Sequence, residues 1–227
     1  MKIIKLVLRK IKRLANKIFG TKVDELYWKF RHFIDRSWAE SYISKESISH
    51  PHRKILIDKI SNYFPFDSIL EIGCASGPNL YLLTKKFPQT KFYGIDISKK
   101  AIGTGQNYFK KEKIKNIFLE SGRAEDLKKF RDKSIDIIFT DATLIYLGLD
   151  KIDLIVKEMI RIAKKAIILC EQHTNSSRMF YKDYWVHNYN FLFGKFLSKE
   201  KIKLTKISQE VWSGDWGEMG YIIEVVL

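Results

Sequence analysis

Ser68-Ile-Leu-Glu-Ile-Gly-Cys-Ala-Ser-Gly-Pro-Asn-Leu80 decides how this chain is read. An apolar run enters a turn of small residues, and the turn leads directly into a helix. Small residues at that place let a molecule approach the backbone closely, and the freed N–H groups of a helix start favour a polar ligand. Phosphates, dinucleotides and other cofactors all exploit such a turn, so the flanking residues must choose among them.

Working outward, short apolar runs alternate with longer amphipathic ones. The pattern predicts strands near 68–73, 91–96, 116–120, 135–140, 165–171, 203–209 and 220–227. Helices are expected near 77–87, 98–111, 124–130, 150–164 and 181–197. Strands alternating with helices call for an α/β fold, a Rossmann-like, doubly wound sheet of seven strands covered on both faces. It should be mostly parallel, with the last two strands forming a C-terminal antiparallel hairpin, because residues 211–219 between them carry no helical pattern. Upstream, Pro51 suits a helix start, and Ile55, Leu56, Ile60 and Tyr63 recur at helical spacing.

Three segments follow: a basic amphipathic helix over 1–22, an N-terminal helical segment over 23–66, and a ligand-binding domain over 67–227. The net charge is +15, and residues 1–22 hold eight Lys or Arg and no acid. On a helical projection Ile4, Val7, Leu8, Ile11, Leu14 and Ile18 face one way, and Lys2, Lys5, Arg9, Lys12, Arg13 and Lys17 face the other. Charges interrupt the apolar residues too often for a signal peptide or a bilayer span. Two placements remain for this helix, on an anionic membrane surface or packed on its own domain. The remaining charge is diffuse, and Lys outnumbers Arg by 32 to 9, which makes the excess a weak argument for nucleic acid.

Cys74 and Cys170 lie far apart in apolar surroundings, with no spacing of a metal site or a disulfide framework, which suits a reducing, cytoplasmic location. His50, His52, His173 and His187 likewise show no metal-ligand spacing, so no metal is expected.

The turn itself narrows the ligand. A dinucleotide fingerprint wants three glycines, whereas Gly73, Ala75 and Pro78 stand at those positions, and no Lys-Ser or Lys-Thr pair follows for a phosphate loop. Glu71 would repel a pyrophosphate and suits a ligand with a cationic head. Asp96 closes the second strand, where an acid can accept from both ribose hydroxyls. A nucleoside carrying a cationic amino-acid tail meets both demands, and S-adenosylmethionine is such a molecule.

From about Pro51 onward the chain resembles the class I S-adenosylmethionine-dependent methyltransferases. Leu70-Glu-Ile-Gly-Cys-Ala-Ser-Gly77 is similar to their first motif, and Tyr93-Gly-Ile-Asp-Ile-Ser98 to their ribose-binding second. Glu120-Ser-Gly-Arg-Ala-Glu-Asp-Leu127 resembles the adenine-contacting segment, and Ser134 to Leu147 the fourth strand with its following loop. The resemblance implies cofactor contacts from Glu71, Gly73, Cys74, Ala75, Gly77, Asp96, Ile97, Ala124, Glu125 and Asp141. Two positions depart from the family. Ala75 replaces a glycine, which a small residue tolerates if its φ stays negative. Arg123 stands where an acid often accepts from the adenine amino group, leaving the Ala124 backbone and Glu125 for that contact.

A methyl group on a sulfonium is already activated, so the protein mainly places the acceptor and excludes water. Where the acceptor must lose a proton, the candidates are Asp141, Tyr146, Glu171 and His173. Each also has a structural reading, Asp141 as a cofactor contact and His173 as a hydrogen-bonded strand-end residue. Trp28, Trp38, Trp185, Trp212 and Trp216 are expected either to cover the carboxyl end of the sheet around an acceptor or simply to pack in the core. A small-molecule, sugar or lipid-linked acceptor is the leading expectation. A nucleic-acid acceptor lacks the Asn-Pro-Pro-Tyr or Asp-Pro-Pro-Tyr tetrad of base-amine enzymes, Thr140-Asp-Ala-Thr143 standing there instead. A cofactor-binding protein without turnover is the third reading, since fold alone does not establish activity.

Overall fold

The computed structural model describes residue 26 and residues 37–176, 179–182 and 184–227. The basic helix expected over 1–22 and the aromatic residues Tyr27, Trp28, Phe30 and Phe33 lie outside the described residues.

Seven strands form one sheet in the order β3-β2-β1-β4-β5-β9-β8. They are β1 (Ser68–Ile72), β2 (Lys91–Asp96), β3 (Ile117–Ser121), β4 (Ile135–Asp141), β5 (Ala163–Gln172), β8 (Ile202–Lys206) and β9 (Gly220–Val226). Pairings among β1 to β5 are parallel, and β9 runs antiparallel to both β5 and β8. The expected hairpin therefore exists, with its second strand inside and its first at the edge. In β1 and β4 side chains alternate between two cores: Leu70, Ile72 and Ile138 face one, and Ile69, Ile137 and Phe139 the other. Such near-continuous apolar strands are what a sheet buried on both faces requires.

Helices α1 (Trp38–Tyr42), α2 (Lys45–Ile48) and α3 (Pro51–Ser61) precede the sheet. Helices α4 (Pro78–Lys86), α5 (Lys99–Lys111) and α6 (Ile152–Ile162) link its parallel strands. On α6 Ile152, Ile155, Val156, Met159 and Ile162 are buried, the i, i+3, i+4, i+7 stripe of a helix laid on a sheet. Pro78 occupies the first helical position of α4, where a missing N–H costs nothing. At the head of α5 the Ser98 hydroxyl caps the helix by accepting from the Ala101 N–H at 3.1 Å.

Two expectations fail, and a third element takes an unexpected form. Residues 181–197 do not form one helix: β6 (Met179–Tyr181) and β7 (Tyr184–Val186) pair antiparallel, and only α7 (Tyr189–Gly194) is helical, capped by Asn188. Phe180 and Trp185 meet across that pair at 4.9 Å, so aromatic cross-strand packing wins over the helical spacing. Between β8 and β9 a one-turn helix, α8 (Asp215–Met219), stands where none was expected, after Gly214 at φ +68. Residues 124–129 form a tight three-residue-per-turn helix rather than an α-helix.

Candidate active site

The opening turn is built from alternating left-handed residues. Gly73, Ala75 and Gly77 have φ of +76°, +48° and +81°, so the every-second-residue spacing of the motif is a conformational repeat. The negative φ expected at Ala75 is not what the fold adopts. Left-handed backbone costs a residue with a Cβ about 1–2 kcal/mol, and two anchors hold it there. The Ala75 N–H donates to Asp96 Oδ2 at 2.9 Å, and the N–H groups of Gly73 and Cys74 both donate to the Ile95 carbonyl. At Gly73 a Cβ would sit 2.1 Å from the Thr143 hydroxyl oxygen, so the turn and the loop after β4 are in contact there.

Above this turn, at the carboxyl ends of β1, β2 and β4, lies a cavity of about 440 Å³. That is the size of a site for one small molecule, placed where the strand order reverses on either side of β1. Gly73, Ala75, Asp96 and Ile97 form one wall, Gly122, Arg123, Ala124 and Glu125 a second, and Asp141, Ala142, Thr143, Tyr146 and Leu147 a third. Trp38, Tyr42, Ser47, His50, His52 and Arg53 close it from the N-terminal helices, and Trp212 from the β8–β9 connection.

Asp96 serves the turn and the cavity together. Burial pushes its carboxyl upward, opposed by the N–H of Ser98, which donates to Oδ1 at 2.8 Å, and that of Ala75. One bond to each oxygen leaves further lone pairs on both. Glu125, on the second wall, is paired with Lys151 at 2.5 Å.

Asp141 sits at the centre of a buried network. Its Oδ2 accepts from Arg53 Nη1 at 3.0 Å and Asn79 Nδ2 at 3.0 Å, and contacts His52 Nε2 at 3.1 Å. Burial alone would raise its pKa, but His52, Arg53 and Asn79 together hold the carboxyl well below the usual carboxylate range. Its other oxygen, Oδ1, is buried and makes no hydrogen bond among the described residues. Arg53 also donates to Asn79 Oδ1 at 2.6 Å and to the Ser47 carbonyl at 2.8 Å. Glu71 lies behind this network rather than on the cavity wall: Asn79 donates to its Oε1 at 2.7 Å, and burial pushes its pKa up to about 8. The residue expected to face a cationic ligand thus positions Asn79, and Asp141 presents the carboxylate.

Cys74 and Gly77 are likewise absent from the wall; both support the turn from behind, with Cys74 buried and Gly77 capping α4. Among the four residues expected as proton acceptors, Tyr146 and Asp141 line the cavity, whereas Glu171 and His173 do not. Glu171 Oε1 accepts from the Thr140 hydroxyl at 2.7 Å and the N–H groups of Thr143 and Leu144 at 2.8 and 2.9 Å, bracing the loop after β4. His173 Nδ1 accepts from the Tyr189 N–H at 3.3 Å. Of the tryptophans, Trp38 and Trp212 reach the cavity; Trp216 stacks on Trp212 at 4.2 Å, and Trp185 packs in the β6–β7 pair. Reading the residues alone missed Ser47 and Arg53, and weighed His50 and His52 only as metal ligands, for which their spacing did not speak. The signal was the cluster His50-Pro-His-Arg53 itself, two imidazoles and a guanidinium at the start of a helix next to the binding turn.

The burial of Glu171 carries a pH dependence. Burial, partly offset by those three donors, raises its pKa from 4.5 to about 7. A group raised on folding stabilises the fold fully below its unfolded pKa, and that contribution is lost as pH rises through the folded value. Glu171→Gln keeps an acceptor oxygen for the three donors and removes the titration. Urea midpoints should therefore fall less steeply between pH 4.5 and about 7 in this variant than in the wild type; parallel curves would place the titration elsewhere.

A family model described as a methyltransferase domain matches residues 66–220. The chain belongs to this methyltransferase family. Among curated relatives, a tRNA (guanine-N(7)-)-methyltransferase of Oceanobacillus iheyensis is 26% identical over 111 residues, 46% of this chain and 51% of that protein. A probable cobalt-precorrin-6B C(15)-methyltransferase of Methanococcus maripaludis is 40% identical over 86 residues, 37% of this chain and 43% of that protein. The chain spans about half the length of these relatives. Among solved structures, a SAM-dependent methyltransferase from Aquifex aeolicus superposes with a TM-score of 0.58 at 16% identity, over 85% of this chain and 98% of that one. Magnesium protoporphyrin IX methyltransferase from Synechocystis, solved with bound SAM, gives 0.58 at 15% identity over 96% of both chains. At these identities the likeness is one of fold: the seven-stranded, mostly parallel methyltransferase sheet.

Proposed function

We propose that this methyltransferase-family chain transfers a methyl group from S-adenosylmethionine to a small-molecule acceptor. The carrying observation is the pair of acids on the cavity wall. Asp96 keeps lone pairs for ribose hydroxyls, and Asp141 keeps a buried oxygen, Oδ1, without a hydrogen bond among the described residues, which a ligand ammonium would satisfy. The residues present fit the cofactor on that count. When bound, it supplies an electrophilic methyl on a positive sulfur. Asp96 and the Gly73–Gly77 turn then bind and orient the nucleoside, and Asp141 the amino-acid tail. Ile97, Ala124 and Glu125 border the base, and Tyr146, Trp38 and Trp212 exclude water on the acceptor side.

The acceptor is a small, sugar or lipid-linked molecule in this reading, because Trp38, Tyr42 and Trp212 line the cavity and offer aromatic faces on which a ring-bearing compound can stack. Two relatives are named for tRNA and rRNA, so RNA is the alternative. Incubating the protein with methyl-labelled cofactor and separate pools of small molecules, lipids and RNA tests it. Label entering only the RNA pool would overturn the small-molecule reading.

The location of the reaction follows from residues 1–22 in the same reading: eight basic residues and an apolar stripe suit the anionic inner face of a membrane. In liposome flotation, anionic vesicles should carry the full chain upward and leave behind protein that starts at Val23. Equal flotation of both would remove the membrane from the proposal.

A further inference from the structure

Pro51 holds two histidines against each other. As the first residue of α3 it has its φ locked by the ring, and His50 before it is held extended, at φ −61° and ψ +132°. The side chains of His50 and His52 are thereby brought together across the proline. His50 Nδ1 lies 2.5 Å from His52 Nδ1, and the rings meet edge-on with centroids 4.5 Å apart. His52 continues the line, its Nε2 lying 3.1 Å from Asp141 Oδ2. Trp212 stacks on His52 at 4.1 Å and fixes the plane of that ring. The outcome is a chain of three groups, Asp141–His52–His50, whose last member is half-buried and lines the cavity. Its Nε2 makes no hydrogen bond among the described residues.

We propose that His50 is the general base of this site and that His52 and Asp141 are its positioning residues. The inference rests on the methyl-transfer reading above, and it names the acceptor class: a hydroxyl or protonated amine, which must lose a proton to be methylated.

Proton positions follow from the network. With a carboxylate facing it, His52 Nε2 carries a hydrogen and donates to Asp141. In the neutral chain His52 Nδ1 is then bare and accepts from His50 Nδ1–H, which leaves the lone pair of His50 on Nε2. During transfer the acceptor's oxygen or nitrogen forms a bond to the methyl carbon. The carbon–sulfur bond breaks with its electron pair retained by sulfur, and the acceptor's proton passes to His50 Nε2. The Nδ1 proton can then shift across the 2.5 Å contact to His52, so that the positive charge ends beside Asp141. In the structure the His52 backbone N–H already points at His50 Nδ1 from 3.4 Å, a cap of α3 that the Nδ1–H tautomer forgoes and the bare Nδ1 of this state makes. Proton uptake thus improves both an ion pair and a helix cap.

The charged and titratable groups around His50 are His52 and Arg53 on its own helix, Asp141 at the end of β4, and Tyr42 and Tyr146 on the cavity lining. Burial, then His52 and Arg53, lower its pKa, against the pull of Asp141. A neutral His50 at physiological pH suits a proton acceptor.

Histidine nitrogen NMR on the full chain, between about pH 5 and about pH 9, tests the arrangement without any acceptor. His50 Nε2 should be unprotonated at the alkaline end and gain its proton below the ordinary histidine range. His52→Phe keeps a ring against Trp212 and removes both nitrogens; His50 should then switch to the Nε2–H tautomer, with Nδ1 accepting the backbone N–H. A wild-type Nε2 that carries a proton throughout would overturn the proposal. So would a tautomer unchanged in His52→Phe; should that variant fail to fold, the wild-type titration decides alone. Calorimetry with S-adenosylmethionine on the same sample separates the two readings. Absent binding with the expected titration leaves the relay standing and removes the methyl donor, whereas binding with a permanently protonated Nε2 removes the relay.

Discussion

Arg53→Ala is expected to lower the stability of the fold by about 3–5 kcal/mol, the range for removing one partner of a buried ion pair. Only 7% of the side chain of either Arg53 or Asp141 is exposed, so water cannot replace the lost guanidinium. Four bonds disappear together: to Asp141, to Asn79, and to the carbonyl and hydroxyl of Ser47. The first two hold the base of the cavity, and the last two tie α2 to α3. Urea unfolding measures the loss. Arg53→Lys should fall between the variant and the wild type, because an ammonium keeps the charge but cannot span Ser47 and Asp141 at once. A double-mutant cycle with Asp141→Asn should show coupling of the two sites. A change in Arg53→Ala within about 0.5 kcal/mol, the size of an ordinary surface substitution, would show that the network contributes little.

Asp96→Ala should weaken S-adenosylmethionine binding by about 100-fold or more in calorimetry. Hydrogen bonds to a charged group contribute about 1.5–3 kcal/mol each, two ribose hydroxyls are at stake, and 1.4 kcal/mol is tenfold in affinity. A second loss adds to the first, because the carboxylate also anchors the Ala75 N–H and so holds the left-handed turn. Asp96→Asn cannot rescue both functions. One amide oxygen can accept from only one side, and its NH₂ group would face the N–H of either Ala75 or Ser98. Thermal unfolding of the variants separates a lost ligand contact from a lost turn. Unchanged affinity in Asp96→Ala would remove the nucleoside reading of the site.

The contrast between Glu71 and Asp141 shows how far a sequence carries such a site. Both were legible as acids at strand ends, and a positive ligand head was inferred from the first. Burial and Asn79 occupy Glu71, while Arg53 and His52, arriving from a helix almost ninety residues earlier, make Asp141 the carboxylate on the wall. Glu171 repeats the lesson. Its place after an apolar strand suggested a base, yet three donors from β4 and the loop that follows it turn its oxygen into a brace. Which partners meet a carboxylate depends on pairings across the sheet, and strand spacing does not encode them.

Local periodicity determined the alternating strands and helices and the parallel sheet with its antiparallel end, and the small residues of 73–77 the binding turn beside Asp96, because each rests on patterns within short stretches of the chain. Tertiary structure decided what that periodicity could not: the β6–β7 pair in place of a helix, the left-handed Ala75, and the joining of His50, His52 and Asp141 beneath Trp212. Each of these depends on contacts between distant segments, whose free energies outweigh the local preference of any one residue.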